Sequence, residues 1–288
     1  MTRLFGVIGH PIGQSLSPVM HTAALRAMRR DALYAPFDVP PQCLKPILHA
    51  FILAGVEGLN VTVPLKEAIV PLLDRVDPTA HAVGAVNTIV IRNRRTVGYN
   101  TDGIGFRRAL EELGWRPKGI PSRVEGRPRP THVVILGAGG AARAVAWELS
   151  RSGVRRLTIA NRHLPRARRL ARWVRRLSPR AKARAVPISQ VTLKDADLLI
   201  NATTVGMRAS DPAPIALATL QRRTMVYDLV YHRETALVRT ARRRGCVAAN
   251  GLSMLLYQGA ESLRLWLHRA PPIEVMRRAL ERAVQSPT

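Results

Sequence analysis

The sequence predicts an α/β protein of two domains, and three observations carry that prediction. Apolar strand-like stretches alternate with helix-like ones to about residue 250, the order that builds parallel sheets. One such strand, HVVIL, runs straight into a glycine turn, GAGGAA, and then a helix. Between two alternating series lies WRPKGIPSRVEGRPRPT, residues 115–131, rich in Pro, Gly and Arg and without periodicity. At 288 residues the chain is long enough to give each series its own core.

In the first series LFGVIGHPI reads as a strand and turn. SPVMHTAALRAMRR opens a helix at Ser-Pro, with Ser17 expected as N-cap and Pro18 at the first helical position. LYAPFDV is a strand, and LKPILHAFILAG a helix ended by Gly55. In LNVTVPLKEA, residues 59–68, Leu59, Val61 and Val63 alternate with Asn60 and Thr62, the period of a half-buried strand. Pro64 ends it, because proline cannot donate to a ladder. Lys66 therefore falls at a strand-to-helix junction, where ligands collect in open α/β sheets. A cation is poorly placed in a first helical turn, and position alone leaves two readings open, a solvated charge or a ligand group. VNTIVIR and TVGYNTD then pair as strands through a turn at Asn93–Arg95.

The second series reads HVVILG, AARAVAWELSRSG, RRLTIAN, a basic helix, ARAVPI, DLLINAT, MVYDLV, TALVRTARRRG and CVAANG. Two helical stretches, Ser253–His268 and Ile273–Val284, finish the chain. In the turn Gly137-Ala138-Gly139-Gly140-Ala141, glycine permits close backbone approach, and the helix N-terminus offers free N–H groups to a pyrophosphate. An alanine stands in place of the third glycine of a GxGxxG/A fingerprint, which between strand and helix predicts a Rossmann-type dinucleotide-binding domain. An NAD site places an acid about twenty residues on, for the ribose 2′-hydroxyl. Here the chain reads Asn161-Arg162-His163-Leu164-Pro165-Arg166. Arg162 and Arg166 suit a 2′-phosphate, which guanidinium binds as a planar fork. The cofactor expected is NADP(H).

Composition narrows the remaining classes. The net charge is +26, and all but five of the 45 basic residues are arginine. In residues 162–184 Leu164, Leu170, Trp173, Val174 and Leu177 form an apolar stripe and arginines fill the rest, the pattern of a solvated helix face. Aromatic residues are 5% and no recognition motif is present, so no specific nucleic acid is expected. No run of eighteen apolar residues and no signal peptide is present, so no membrane is expected. Cys43 and Cys246 form no CxxC, which argues against a metal site and fits a reducing cytoplasm.

The motifs together resemble the shikimate dehydrogenase family over nearly the whole chain. GHPIGQSLSPVMH at 9–21 resembles that family's GxPIxHSxSPxxHN, and NVTVPLK at 60–66, GAVNT at 84–88 and GYNTDGIG at 98–105 follow. GAGGAARA, the NR at 161–162, NATTVGM at 201–207, DLVY at 228–231 and NGLSMLLYQGA at 250–260 continue the pattern. The resemblance implies reversible, NADPH-dependent reduction of 3-dehydroshikimate to shikimate in aromatic amino-acid biosynthesis. It implies Lys66 as the acid–base residue with Asp102 as its partner. A protonated lysine suits a ketone reduction, because it stabilises the developing alkoxide and delivers the proton. Ser15 and Ser17, with Tyr231, are implied at the substrate carboxylate. Thr62, Asn87 and Gln258, with Lys66 and Asp102, are implied at the ring hydroxyls. Gly137, Ala138, Gly139, Gly140, Ala141, Asn161, Arg162, Arg166, Thr203, Leu229 and Gly251 are implied at the cofactor.

Gln14 stands where the family usually has His, Thr22 where it has Asn, and Arg233 where proline is common. The rival within the family is a quinate/shikimate dehydrogenase of broader specificity. The layout expected is a substrate-binding domain at 1–103, completed by 253–288, and a Rossmann domain at 104–252. The C-terminal return is required because Gln258 must reach substrate held by Ser15 and Asn87. A homodimer is the assembly to test.

Overall fold

The computed structural model describes residues 2–115 and 131–285, so residues 116–130 of the linker-like stretch lie outside the described residues. The chain divides into two compact units: Met1–Gly105 with Leu255–Thr288, and Phe106–Met254.

The first unit opens with β1 (Arg3–Gly9), α1 (Ser17–Ala27), β2 (Ala32–Asp38), α2 (Leu44–Leu53), β3 (Val56–Val61) and α3 (Leu65–Ala68). β4 (Arg75–Val76), α4 (Pro78–Val83), β5 (Thr88–Arg92), β6 (Arg95–Tyr99) and the first turn of α5 (Asp102–Glu112) follow. The sheet order is β2-β1-β3-β5-β6-β4. β1 pairs parallel with β2 and β3, but β3–β5 and β5–β6 are antiparallel. The sheet is therefore mixed, not parallel throughout as simple alternation suggests. The β5–β6 hairpin accounts for the second of these pairs: Asn93 and Arg94 take φ of 50° and 58°, the two-residue turn that doubles a strand back on itself.

β3 lies inside the sheet, and five of its six residues are buried. This corrects the half-buried alternation: Asn60 is buried, while Val63, beyond the strand end, is 56% exposed. Ile8, Leu59, Leu65, Ile69 and Ile89 form the centre of this core. Ser17 does not cap α1. Leu16 already has helical backbone angles, so Ser17 is the first residue of the helix, and no side chain makes a cap hydrogen bond.

The second unit continues α5 and adds β7 (His132–Leu136), α6 (Gly140–Arg151), β8 (Arg156–Asn161), α7 (Leu164–Leu177) and β9 (Lys182–Pro187). β10 (Leu198–Asn201), β11 (Met225–Asp228), α8 (Ala236–Arg243) and β12 (Ala248–Asn250) complete it. Its sheet runs β12-β11-β10-β7-β8-β9, with every pair parallel. Strand order reverses between β7 and β10, which opens a crevice at their carboxyl ends. α7 buries Ala167, Leu170, Ala171 and Val174. Leu177, expected on that stripe, is 38% exposed at the last turn, and the two alanines make the close packing instead.

α9 (Leu252–Leu267) and α10 (Ile273–Gln285) end the described chain. In the first unit Trp266 Nε1 donates to the Ile89 carbonyl at 2.9 Å, and α10 packs against α1.

Candidate active site

Lys66 sits in the single turn α3. Leu65 and Ile69, both fully buried, pin that turn, and the Val86 N–H donates to the Lys66 carbonyl at 2.8 Å. One turn has too short a dipole to disfavour the cation strongly. The side chain is 15% exposed and ends on Asp102, itself 5% exposed, with Nζ 2.6 Å from Oδ2. Asp102 occupies the first turn of α5, whose N-terminus favours negative charge, and Asn100 Oδ1 accepts its N–H at 3.1 Å.

A buried ion pair holds together only when its spare lone pairs are also satisfied. Asn87 does this, its Nδ2 donating to Asp102 Oδ1 at 2.9 Å. The Asn87 amide cannot turn over, because its Oδ1 accepts the Thr101 N–H at 2.8 Å and the Thr88 hydroxyl at 3.0 Å. A flip would set N–H against N–H. Nδ2 must therefore face Asp102, and it also reaches Gln258 Oε1 at 3.1 Å. Behind it Asn60 Nδ2 donates to Ser262 Oγ at 3.0 Å, and Tyr34 OH donates to Asn60 Oδ1 at 2.7 Å. The hydroxyls of Thr88 and Ser262 are 2.7 Å apart. Each of these groups is buried, and their polar atoms bond one another within the layer.

Lys66, Asp102, Asn87 and Gln258 thus form one bonded cluster. Thr62 follows β3, its N–H bonded to Ile8 O at 2.9 Å. Ser15 Oγ accepts the Ser17 N–H at 3.4 Å, and neither serine hydroxyl bonds the Lys66 cluster among the described residues. Sequence reasoning missed Asn60, Thr88, Thr101 and Ser262 as supports. The available sign was Asn60 itself, a polar side chain inside an otherwise apolar strand. His21 was passed over too. It is fully buried, stacks on Tyr34 with centroids 4.4 Å apart, and neither ring nitrogen makes a hydrogen bond of normal geometry. Burial lowers its pKa to about 3, with the neighbouring Asn60 side chain opposing.

In the second unit Gly137 follows β7 at φ +108°, and a Cβ there would lie 2.7 Å from the Ala202 carbonyl oxygen, so only glycine fits. Gly139 is the N-cap of α6, with no side-chain cap and open space on its Cβ side. Gly140 and Ala141 begin the helix, so their backbone meets an anion's requirements, and Ala138 bridges the two glycines. Asn161 ends β8 with Nδ2 donating to the His163 carbonyl at 3.1 Å. Arg162 and Arg166 are exposed at the start of α7, with no acid at the end of β8. The residues present fit a dinucleotide carrying a 2′-phosphate.

Thr203, in the loop after β10, donates from both N–H and hydroxyl to Asn201 Oδ1, at 3.1 and 2.7 Å. The Leu229 N–H donates to Asn201 O at 2.9 Å, and the Gly251 N–H to Val230 O at 3.1 Å. Tyr231 lies further along the loop after β11, edge-on to His232 with centroids 5.9 Å apart. Among the described residues no group of three or more His, Cys, Asp or Glu could hold a metal, and no helix is long and apolar enough to cross a membrane.

Three family models match the chain. They are described as the shikimate dehydrogenase substrate binding domain, over residues 7–89, the shikimate / quinate 5-dehydrogenase, over 122–231, and the shikimate 5′-dehydrogenase C-terminal domain, over 251–281. The chain is 42% identical over 287 residues to the shikimate dehydrogenase (NADP(+)) of Methanothermobacter thermautotrophicus, covering 98% of this chain and 97% of that one. Shikimate 5-dehydrogenase from Thermus thermophilus, crystallised with NADP(H) and shikimate, matches with a TM-score of 0.84 at 37% identity, over 98% of this chain and 100% of that one. Quinate dehydrogenase from Corynebacterium glutamicum, in complex with NAD, matches with a TM-score of 0.85 at 33% identity, over 98% and 99%. Likeness of this extent, over nearly the full length of each chain, has one meaning: the protein belongs to the shikimate dehydrogenase family.

Proposed function

We propose that the chain catalyses the reversible reduction of 3-dehydroshikimate to shikimate with NADPH, in aromatic amino-acid biosynthesis. The observation that carries this reading is the Lys66–Asp102 pair, held at 2.6 Å over a fully bonded polar layer. Protonated Lys66 stabilises the oxyanion that forms as the ketone is reduced and hands it a proton. Asp102 keeps Nζ in place, and Asn87 leaves the carboxylate one free oxygen for the lysine. NADPH supplies the hydride when bound.

Thr62, Asn87 and Gln258 are proposed at the ring hydroxyls, and Ser15, Ser17 and Tyr231 at the carboxylate. The 1–103 domain, completed by 253–288, is proposed to bind substrate, and the 104–252 domain to bind NADP(H). In the latter, Gly137–Ala141 takes the pyrophosphate, Arg162 and Arg166 the 2′-phosphate, and Asn161, Thr203, Leu229 and Gly251 the remainder. Two free cysteines, Cys43 and Cys246, suit a reducing cytoplasm. A homodimer is the assembly proposed, and light scattering of the purified protein tests it.

The broader quinate/shikimate reading draws on the likeness to a quinate dehydrogenase. Arginines in place of an acid after β8 favour NADP over NAD and so favour the narrower reading. Initial rates with shikimate and NADP, then with quinate and NAD, decide between them. The proposal expects the first pair to dominate. Equal rates would establish the broader enzyme, and no rate with either would overturn both.

A further inference from the structure

At the end of β11 the Asp228 carboxylate is fully buried, and no Lys or Arg forms an ion pair with it among the described residues. Three neutral donors hold it. Asn201 Nδ2 and the Val230 N–H donate to Oδ1 at 2.9 and 3.1 Å, and the Thr235 hydroxyl donates to Oδ2 at 2.7 Å. Thr235 has already used its oxygen as the N-cap of α8, accepting the Val238 N–H at 3.2 Å, so its proton points to Asp228. One carboxylate thus ties together the end of β10, the loop after β11 and the start of α8.

The fold gains little from this charge. Burial raises the Asp228 pKa to about 6, against the pull of the Thr235, Val230 and Asn201 donors and of His232, while the adjacent buried Tyr227 also feels its charge. A buried anion without a cation destabilises the folded state. What it offers is a set of acceptors with no donor among them, which suits three converging donors. An asparagine has one oxygen and would turn an N–H toward one of them.

Those donors sit on the segments proposed to meet the cofactor. Asn201 gives its Nδ2 to Asp228 and to the Val205 carbonyl at 3.0 Å, which aims its Oδ1 at Thr203. Its backbone carbonyl takes the Leu229 N–H, and the Val230 carbonyl takes the Gly251 N–H. Gly251 lies so close to the Leu229 carbonyl oxygen that a Cβ would collide with it, so a shift in one loop reaches the next.

We infer that Asp228 is a positioning residue for the cofactor, whose carboxylate fixes where Thr203, Leu229 and Gly251 stand by holding Asn201, Val230 and Thr235 together. This rests on the NADP reading above. The test is calorimetric titration of the full chain with NADP alone and, separately, with shikimate alone, for wild type, Asp228→Asn, Thr235→Val and Thr235→Ser. Asp228→Asn and Thr235→Val should weaken NADP binding about tenfold or more, the scale of one buried donor or acceptor left unpaired. Their shikimate affinity should fall much less, since of the residues proposed to bind shikimate only Tyr231 follows a tied segment, and Thr235→Ser, which keeps the hydroxyl, should bind NADP within about twofold of wild type. NADP affinity unchanged in both disruptive variants, equal loss of both ligands, or failure of both to fold would each overturn the assignment. A wild-type chain that binds no NADP would overturn the cofactor reading and this inference with it; normal wild-type binding with unchanged variants overturns the inference alone.

Discussion

Lys66→Ala separates stability from chemistry. The variant leaves the Asp102 carboxylate 5% exposed in its present surroundings, with Asn87 still donating at 2.9 Å but the ammonium at 2.6 Å gone. Breaking a buried pair from one side costs about 3–5 kcal/mol. Lys66 is 15% exposed, so water reaches the gap and the lower end, about 3 kcal/mol, applies. In a chain of this size that lowers Tm by about 6–12 °C. Turnover should fall about 10²–10⁴-fold, the usual contribution of a general acid–base group. Shikimate affinity should stay within about tenfold, because Thr62, Asn87, Gln258 and the two serines remain. Adding Asp102→Asn removes the stranded charge, so the double variant should regain much of the lost Tm without regaining rate. Lys66→Arg should not rescue turnover, because guanidinium keeps its proton near neutral pH. The assays are initial rates of NADPH formation at saturating shikimate and NADP, beside thermal unfolding. A Lys66→Ala enzyme that kept its saturated rate but lost shikimate affinity would make Lys66 a binding residue. A double variant no more stable than Lys66→Ala would refute the buried-charge reasoning.

Other perturbations test separate parts of the structure. Arg162→Glu should weaken NADP binding about tenfold or more and leave NAD binding nearly unchanged, since the 2′-phosphate loses a fork and meets a like charge; equal losses in titrations with the two cofactors would make Arg162 a surface residue only. His21 has its pKa depressed to about 3, so its contribution to stability is present above 6.5 and lost as pH falls toward 3. His21→Phe should therefore flatten the pH dependence of unfolding between those values, and an unchanged slope would show that the ring is not held neutral by burial. Asp228 is raised from 3.8 to about 6, the opposite case: its contribution is present below 3.8 and lost as pH rises through 6. The stability of wild type relative to Asp228→Asn should fall across that window, as measured by denaturant unfolding at several pH values.

Much of the fold was legible because local chemistry and tertiary structure agree. The Gly137 turn shows why: a strand, a residue at φ +108° against the Ala202 carbonyl, and an uncapped helix start admit few sequences. The Asn93–Arg94 hairpin was visible for the same reason. What escaped depends on neighbours distant in sequence. Asn60 reads as the polar face of a strand, and only pairing of β3 with both β1 and β5 and the arrival of Ser262, 202 residues away, reveals it as buried. The Ser17 cap failed because residue 16 had already turned helical, a backbone detail no residue type announces. Lys66 was conspicuous in the strand-to-helix junction, yet its partner was named by the motif resemblance, since 36 residues separate it from Asp102.

Two buried carboxylates, Asp102 in the first unit and Asp228 in the second, show how differently the same group is used. Asp102 keeps a lysine at 2.6 Å, and its remaining oxygen takes an amide whose direction is locked. Asp228 has only neutral donors, three of them. Selection for stability alone would retain neither arrangement, since well-packed apolar side chains of similar volume do as well or better. The difference lies in what leaves the site when each is neutralised. Asp102→Asn strands a lysine and should lower turnover while NADP affinity stays within about twofold, because its side chain bonds Lys66 and Asn87. Asp228→Asn strands no cation but unpairs a donor under Thr203, so it should lower NADP affinity first. If both substitutions altered turnover and NADP affinity in the same proportion, the two carboxylates would be doing one job, and the division between proton handling and cofactor placement would fail.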